Sequence, residues 1–409
     1  MADALAILGG APLRSEPWPA WPEFGAPERA ALERVLESGQ WGGFPSPNTE
    51  ARAFSEEFAR YVGTRFAVPC ANGTVSLTLA LQAGRISRGA EVITTAYSFV
   101  GTAGGIVAAG CVPVPVDVLP DTYCIDPARV EQAIGPRTEA VMPVHLACAM
   151  ADMDRLVEIC RRRGLLLVED CAHAHGMQWR GRGAGAIGDF GSFSMQSSKL
   201  LTAGEGGCVT TGDERGEGRL QALVNCGRRE TPRARETEPL FGHNLRMTEW
   251  QAALLREQLR RLPEQQRRRE ANVARFLEEI RKVPGLEPPR ADARVSAPTY
   301  YQLILRYQPE PFAGVPRDAL ILALRAEGVP CSGRFYVPLN EDPLFALDER
   351  TNPAAHARDY AAEAFPVTRR AAYDESIWLP HQLFLGSAGD VDDLVAAFAK
   401  VQAHAATLR

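Results

Sequence analysis

Short apolar runs alternate with segments of helical periodicity through the first half of the chain. The apolar runs are RFAVPC, AEVITTAY, VPVPVDV, EAVMPVHL and GLLLVED. Between them, TVSLTLALQAG and DMDRLVEICRRRG place apolar residues at helical spacing and end at glycine, which is typical of helix termination. Strands that alternate with helices predict a mostly parallel α/β sheet covered on both faces.

Two further strands and a second domain are predicted downstream. The runs FGSFSMQ and GGCVTTG lie close enough to form a hairpin around Lys199. A long Arg-rich helical segment then leads into the alternating run TYYQLILRY and the helical segments RDALILALRAEGVP and DVDDLVAAFAKVQAHA. The chain is therefore expected to form a large α/β domain with an N-terminal arm over residues 1–264 and a smaller α+β domain over 265–409.

Composition narrows the class of protein. A formal net charge of −5 over 409 residues gives no support for binding nucleic acid or an anionic membrane surface. No apolar run approaches the length of a membrane span, and the N-terminus lacks the features of a secretory signal. The nine cysteines are scattered and contain no Cys-x-x-Cys pair, which favours reduced thiols, a cytoplasmic location and no metal site. The basic segment GRRETPRARE, residues 227–236, is expected to be a mobile, solvated loop.

Lysine is rare in this sequence. Of 45 basic residues only Lys199, Lys282 and Lys400 are lysines. Lys282 and Lys400 lie in charged or C-terminal helical surroundings, where a solvated surface role is expected. Lys199 lies among small and apolar residues in FSMQSSKLLTAGEGG. Arginine cannot be deprotonated in a protein, whereas a partly buried lysine can become a nucleophilic amine, so Lys199 is either that amine or a lysine that extends from a strand end to solvent.

The residues around Lys199 match what pyridoxal phosphate (PLP) requires, which is a lysine, a carboxylate for the pyridinium nitrogen and a cradle for the phosphate. Asp170 ends an apolar strand, at the edge of a parallel sheet where ligands bind. The ANGT turn, residues 71–74, follows a strand and opens a helix, which makes an anion site. Ser194 could add a hydroxyl. Each residue also has an ordinary structural explanation, as a turn or a helix cap, but their order along the chain favours a PLP site.

Three segments carry a family resemblance: EDCAHAHG, FSMQSSKLLTAGEGG and GHNLRMTEWQAA. They are similar to signatures of the DegT/DnrJ/EryC1/StrS aminotransferases, PLP enzymes of amino-sugar and aminocyclitol biosynthesis, and the likeness extends from ILGGAPLR to WLPHQLFLG. The resemblance implies a fold-type-I PLP transferase with a mostly parallel seven-stranded sheet in its large domain. Within the family, the segments look most similar to glutamine-dependent scyllo-inosose and 2-deoxy-scyllo-inosose aminotransferases. Amino-hydroxybenzoate synthases share some of them.

The same resemblance assigns roles to five residues. Lys199 would form the Schiff base with the cofactor and carry the proton during amine transfer. Asp170 would pair with the pyridinium nitrogen. Gly73, Thr74 and Ser194 would hold the phosphate.

Four more positions receive roles with stated alternatives. His173 would lie near the cofactor ring or order the carboxylate, or else be a hydrogen-bonded core histidine. Phe99 would stack on the ring, or simply pack in the core. Asn244 resembles an asparagine that reaches the phosphate across a subunit interface, which implies a homodimer. Tyr336 would face the substrate or belong to the core.

The expected activity is transfer of an amino group from L-glutamine or L-glutamate to a keto-cyclitol such as scyllo-inosose or 2-deoxy-scyllo-inosose, by a ping-pong mechanism. Family members that dehydrate their substrate carry histidine in place of the lysine, so Lys199 favours transamination. The alternatives are an aminotransferase for a nucleotide-linked keto-sugar, a dehydratase like the amino-hydroxybenzoate synthases, and a PLP-binding regulator without turnover.

Overall fold

The seven predicted apolar strands form one sheet in the computed structural model, which describes residues 4–44, 48–228 and 240–408. The strands up to residue 211 are β1 (Phe66–Cys70), β2 (Glu91–Thr95), β3 (Val112–Val116), β4 (Thr138–Met142), β5 (Leu166–Asp170), β6 (Gln178–Trp179), β7 (Arg182–Gly183), β8 (Phe190–Ser194) and β9 (Gly207–Thr211). Without β6 and β7, they are ordered β1-β9-β8-β5-β4-β2-β3. Strand β9 is antiparallel to β1 and β8, and the other pairs are parallel. The predicted hairpin around Lys199 and the mostly parallel sheet are confirmed.

The sheet is buried on both faces, which explains why its strands read as continuous apolar runs. Neighbouring residues of a strand enter different cores: Ile93 and Val141 pack on one face, while Val92 and Met142 pack on the other. The helices that cover these faces are α2 (Thr49–Val62), α3 (Gly73–Ala83), α4 (Gly101–Ala108), α5 (Pro127–Ala133), α6 (Met153–Arg163) and α7 (Glu214–Val224). The first helix, α1 (Ala26–Ser38), instead packs in a small separate cluster around Ala253.

Proline determines which strand can lie at the edge of this sheet. Strand β3 contains Pro113 and Pro115, which have no N–H group to donate to a neighbouring strand. Consistent with that limit, β3 is the last strand of the sheet and pairs only with β2 within the described chain.

A long helix, α8 (Glu249–Ile280), connects two hydrophobic cores. Leu255 and Leu262 in its first half pack into the core of the large sheet, and Val273 and Phe276 in its second half pack into another core. The remaining elements are β10 (Leu286–Glu287), β11 (Val295–Ala297), β12 (Gln302–Tyr307), α9 (Arg317–Ala326), α10 (Pro366–Arg370), β13 (Ser376–Pro380) and α11 (Ala388–Ala403). Strands β10, β12 and β13 form an antiparallel sheet.

The predicted domain division at residues 264 and 265 falls within α8 and stays a prediction. The N-terminal segment does not follow this division simply, because Leu5, which was assigned to the large domain, packs in the second core. The same segment is tied there by Glu327, a fully buried carboxylate that accepts hydrogen bonds from the backbone N–H groups of Ala6 and Leu13 at 2.8 and 2.9 Å.

The expectation of a solvated surface role for Lys400 is wrong. Its Nζ lies 2.8 Å from a carboxylate oxygen of the buried Glu327 and 2.9 Å from the carbonyl oxygen of Ala11. Lys400 is a partly exposed lysine that pairs with a buried carboxylate, which the helical pattern around it does not reveal. Lys282 pairs with Glu279 on the surface, as expected.

Three composition-based expectations can be set against the structure. The nine cysteines are unpaired thiols. Across the described ranges, no helix combines the length and apolar character needed to cross a membrane. The segment GRRETPRARE lies outside the described residues from residue 229 onward.

Candidate active site

Four strands bring the predicted residues to one edge of the large sheet. Strands β1, β2, β5 and β8 point in the same direction, so their carboxyl ends lie at the same edge. Asp170 and Ser194 are the last residues of β5 and β8, Gly73 opens the helix after β1, and Phe99 follows β2. Ligands of such sheets bind at this edge.

The turn between β1 and α3 packs directly against the end of β8. Asn72 caps the helix by accepting a hydrogen bond from the Val75 N–H at 3.0 Å. A Cβ atom on Gly73 would lie 2.5 Å from the Cβ and 2.8 Å from the Oγ of Ser194, so only glycine permits this approach. The N–H groups of the first helical turn have no partner within their helix. Together with the Ser194 hydroxyl they make a cradle that fits a phosphate group.

Thr74 and Phe99 meet at the start of α4. A Cβ atom on Gly101 would lie 2.7 Å from the Phe99 ring and 3.1 Å from the Thr74 hydroxyl oxygen, so both side chains border this glycine. The Phe99 side chain is 55% exposed, which is unusual for a phenylalanine beside a buried sheet. An uncovered aromatic face next to the phosphate cradle fits a planar ring.

Asp170 is a buried carboxylate. Its Oδ2 accepts a hydrogen bond from the Thr102 hydroxyl at 2.9 Å, and its Oδ1 accepts one from the Ala172 N–H at 3.1 Å. Burial raises the pKa of Asp170, while these hydrogen bonds and the charge of Lys199 act in the opposite direction. A protonated ring nitrogen fits such a carboxylate, since a buried charge is stabilised by an opposite one.

A buried group beside Asp170 holds the end of β5 in place. The Glu169 carboxylate lies 3.0 Å from Nε2 of His145 and accepts hydrogen bonds from the N–H groups of Gly185, Ile187 and Gly188. With Cys171, these two side chains form a cluster of ligand-type atoms within 4.8 Å of one another. Because backbone donors already occupy the carboxylate, we interpret the cluster as structural; the expectation of no metal site stays a prediction.

Lys199 is partly buried, and its Nζ lies 4.4 Å from the centroid of the Tyr301 ring. Burial lowers the pKa of Lys199 to about 8, and the negative charge of Asp170 limits the decrease. A substantial fraction of this amine is therefore neutral near physiological pH, as a nucleophilic lysine requires.

His173 connects this region to Tyr336. The Ala147 N–H donates to Nδ1 of His173 at 3.2 Å, and Nε2 lies 3.1 Å from the Tyr336 hydroxyl. Burial, and next the charge of Lys199, hold the pKa of His173 well below its usual value. A neutral imidazole that accepts at Nδ1 must carry its proton on Nε2, so His173 donates to the Tyr336 oxygen. The hydroxyl proton of Tyr336 is thereby left to point toward another acceptor.

Asn244 is exposed, and none of the contacts described above involves its side chain, although the carbonyl of the next residue, Leu245, accepts a hydrogen bond from the Ala71 N–H at 2.8 Å. The Asn244 backbone forms an isolated antiparallel bridge with Asn225. Exposure of Asn244 in the single chain is what a residue that contacts the site of a second subunit would show.

Sequence analysis missed three contributors. Thr102 bonds to Asp170, the Tyr301 ring stacks on His173 with a centroid distance of 4.1 Å, and Ala147 fixes the tautomer of that histidine. Thr102 lies three residues after Phe99, and this closeness in sequence was the one feature that could have indicated a role for Thr102 in the site. Tyr301 and Ala147 reach the site from distant segments, and no local pattern marks them.

Comparison with known proteins gives consistent matches over almost the whole chain. The model of the DegT/DnrJ/EryC1/StrS aminotransferase family matches residues 22–398. A protein of Streptoalloteichus tenebrarius, provisionally named L-glutamine:3-amino-2,3-dideoxy-scyllo-inosose aminotransferase, is 46% identical over 416 residues and 100% of both chains. The L-glutamine:2-deoxy-scyllo-inosose aminotransferase of Streptomyces fradiae is 41% identical over 425 residues and 100% of both chains.

A similar solved structure is that of 3-amino-5-hydroxybenzoic acid synthase. It superposes with a TM-score of 0.83 at 32% sequence identity and covers 96% of this chain and 100% of its own. This similarity confirms the predicted fold class.

Replacement of Asp170 by Asn should lower the pKa of Lys199 below its value of about 8. The reason is that the lost negative charge no longer stabilises the ammonium form. The measurement is the pH dependence of Lys199 labelling by an amine reagent in protein without cofactor, followed by peptide mass spectrometry. The exposed Lys282 serves as the internal reference, because the chain has only three lysines.

Asp392→Asn is the matched control, because that carboxylate lies on α11 and pairs with Arg275 at the surface. It should leave the Lys199 profile unchanged. If the pH midpoint of Lys199 labelling were unchanged or raised in Asp170→Asn, that result would contradict the electrostatic interaction between Asp170 and Lys199.

Proposed function

Because the chain belongs to the DegT/DnrJ/EryC1/StrS aminotransferase family, we propose that it uses pyridoxal phosphate to move the amino group of L-glutamine to a keto-cyclitol of the 2-deoxy-scyllo-inosose type. The observation that carries the catalytic part is the electrostatic interaction of the partly buried Lys199 with the buried Asp170 at the carboxyl edge of the sheet. The donor and acceptor are supported by the names of full-length relatives such as the Streptomyces fradiae enzyme.

The residues at this edge fit each part of the cofactor. Gly73, Thr74 and Ser194 would hold the phosphate, because Gly73 and Thr74 open a helix and the Ser194 hydroxyl lies against Gly73. Asp170 would hold the protonated ring nitrogen, and the exposed face of Phe99 would cover the ring.

When bound, the cofactor supplies an aldehyde that exchanges amines and a ring that withdraws electrons. With a pKa lowered to about 8, part of the Lys199 amine is neutral near physiological pH, and its Nζ then holds and returns the proton that moves during amine transfer. The hydrogen bonds from Thr102 and Ala172 favour the ionised form of Asp170 and oppose the burial that raises its pKa. Tyr336, held by His173, directs its hydroxyl proton to a substrate oxygen.

The site also suits a polyhydroxylated acceptor. Besides Tyr336, the hydroxyls of Ser198 and Tyr301, 2.8 Å apart, lie beside the lysine. These are neutral groups that exchange hydrogen bonds with hydroxyls. The acceptor is therefore a neutral or amino-substituted cyclitol, as the names of the two relatives describe for those proteins.

The visible spectrum of the cofactor-loaded protein tests this function. L-Glutamine should shift the cofactor band in wild-type protein and not in Lys199→Ala or Lys199→Arg. The arginine variant keeps a positive charge but cannot lose its proton. Adding 2-deoxy-scyllo-inosose or its 3-amino derivative should restore the original band.

Each competing function predicts a different result in this assay. Restoration of the band by a nucleotide-linked keto-sugar alone would move the proposal to that substrate class. Consumption of a substrate without any amino donor would indicate a dehydratase. A band that does not respond to any amino acid would indicate a binding protein without turnover.

The active unit is a homodimer in which Asn244 serves the site of the other subunit. Large exposed aromatic side chains support this, because aromatic residues are enriched at protein interfaces. Phe44, Trp41 and Phe241 are 55%, 53% and 102% exposed, and Phe241 lies close to Asn244 in sequence.

Mixed dimers test the shared site. Lys199→Ala and Asn244→Ala chains, carrying different tags, are inactive or weak alone. If Asn244 acts across the interface, a dimer of one chain of each kind contains one intact site of two, and activity returns to about half of wild type. If Asn244 acts within its own chain, neither site of that dimer is intact and activity stays lost, which would contradict the proposal.

A further inference from the structure

Two aromatic side chains from distant segments hold the backbone immediately before Lys199. The Trp21 indole Nε1–H donates to the carbonyl oxygen of Ser197 at 3.1 Å. Nε2 of His381 lies 3.2 Å from the carbonyl oxygen of Ser198. Trp21 belongs to the N-terminal segment, and His381 directly follows β13.

The hydrogen bonds fix His381 in one form. A carbonyl oxygen can only accept, so Nε2 carries the proton, and an Arg269 guanidinium nitrogen, which can only donate, lies 3.1 Å from Nδ1. Protonation of Nδ1 would remove the acceptor and place two cations in contact. Burial and the charge of Arg269 accordingly hold the pKa of His381 well below its usual value.

Arg269 is itself held by the same two rings. It is 1% exposed, and its Cζ lies 5.2 Å from the Trp21 ring centroid, while Nε and Nη1 are enclosed without a hydrogen-bond acceptor. The rings of Trp21 and His381 meet edge to face with centroids 4.5 Å apart. A buried guanidinium without a carboxylate partner is costly, so this arrangement persists because its three members pack against one another.

Hydrogen bonds within residues 196–199 add to the contacts made by Trp21 and His381. The Lys199 N–H donates to the Gln196 carbonyl at 2.8 Å, and the Ser198 N–H donates to the Gln196 side chain at 2.9 Å. The Ser198 hydroxyl bonds to that of Tyr301, whose ring lies under the Lys199 amine. The backbone before Lys199 is therefore held from both sides.

We propose that Trp21 and His381 are positioning residues for Lys199, each fixing the carbonyl of one of the two residues before it. The inference rests on the proposed function in taking Lys199 as the reacting amine. Through these bonds, the N-terminal segment and the second core determine where that amine points and how far water reaches it.

The test compares two tryptophans of the same segment. Trp21→Phe keeps a ring against His381 and removes the donor to Ser197. Trp18→Phe is the matched control, because the Trp18 indole N–H donates to the Gly328 carbonyl at 2.7 Å and makes no bond to the Lys199 loop. His381→Met removes the donor to Ser198, and His381→Gln restores an N–H group on a side chain of similar reach.

The first readout is the pH midpoint of Lys199 labelling in full-length protein without cofactor. The titratable groups that face the amine are Asp170, His173, His175 and Tyr301, and none of them is altered. In Trp21→Phe and His381→Met, a loosened loop admits water to the amine, so the midpoint should rise by at least about half a pH unit. Lys282 labelling should not change, and His381→Gln should recover part of the shift.

The second readout is the rate of amine transfer in the loaded enzyme. Misplacement of the reacting amine should lower kcat about tenfold in Trp21→Phe, with a smaller change in KM. Trp18→Phe should keep the kcat of wild type.

A Trp21→Phe labelling profile identical to that of Trp18→Phe would overturn the proposal. The comparison of these two tryptophan variants tests the proposal even if His381→Met fails to fold. The labelling result does not depend on donor or acceptor. Failure of wild-type protein to respond to glutamine would refute the proposed function and leave this readout intact.

Discussion

The partly buried Lys199 amine interacts electrostatically with one buried carboxylate, that of Asp170, and the other features of the site act on this interaction. Burial alone lowers the pKa of Lys199, and Asp170 limits how far it falls, so the amine titrates near pH 8. Asp170 in turn depends on Thr102 and Ala172 for its hydrogen bonds. Both groups come to one region because β5 and β8 are parallel neighbours whose carboxyl ends meet at one edge: Asp170 ends β5, and Lys199 lies in the loop that follows β8.

Glycine and short-range backbone contacts make the rest of this edge possible. Gly73 lets the first turn of α3 touch Ser194, and the carboxyl edge thereby gains an anion cradle next to a buried lysine. Glu169, which lies on β5, accepts hydrogen bonds from the N–H groups of Ile187 and Gly188 and lies 3.0 Å from Nε2 of His145, and these contacts hold the end of β5 in place. The site is therefore held by buried hydrogen bonds at Asp170 and is open to solvent at the exposed ring of Phe99.

Much of the fold could be predicted from the sequence, because the seven strands are short apolar runs bounded by turns. The lysine, the strand-end Asp170 and the turn at Gly73 were visible for the same reason, since each is a local signal next to a strand. Tyr301, Trp21 and His381 were not visible, because they reach Lys199 only through folding of segments more than a hundred residues away. Lys400 was misjudged because its partner Glu327 lies on another element.

The central claim is that the amino group which leaves L-glutamine from the carbon next to its carboxylate arrives on the keto-cyclitol. It is tested most directly with two glutamines, one isotopically labelled at the α-amine and the other at the side-chain amide, each given to the loaded enzyme with 2-deoxy-scyllo-inosose or its 3-amino derivative. The account predicts that the label enters the cyclitol amine from the α-amine only, and that Lys199→Arg transfers none. Label arriving from the amide, or transfer that survives in Lys199→Arg, would contradict it.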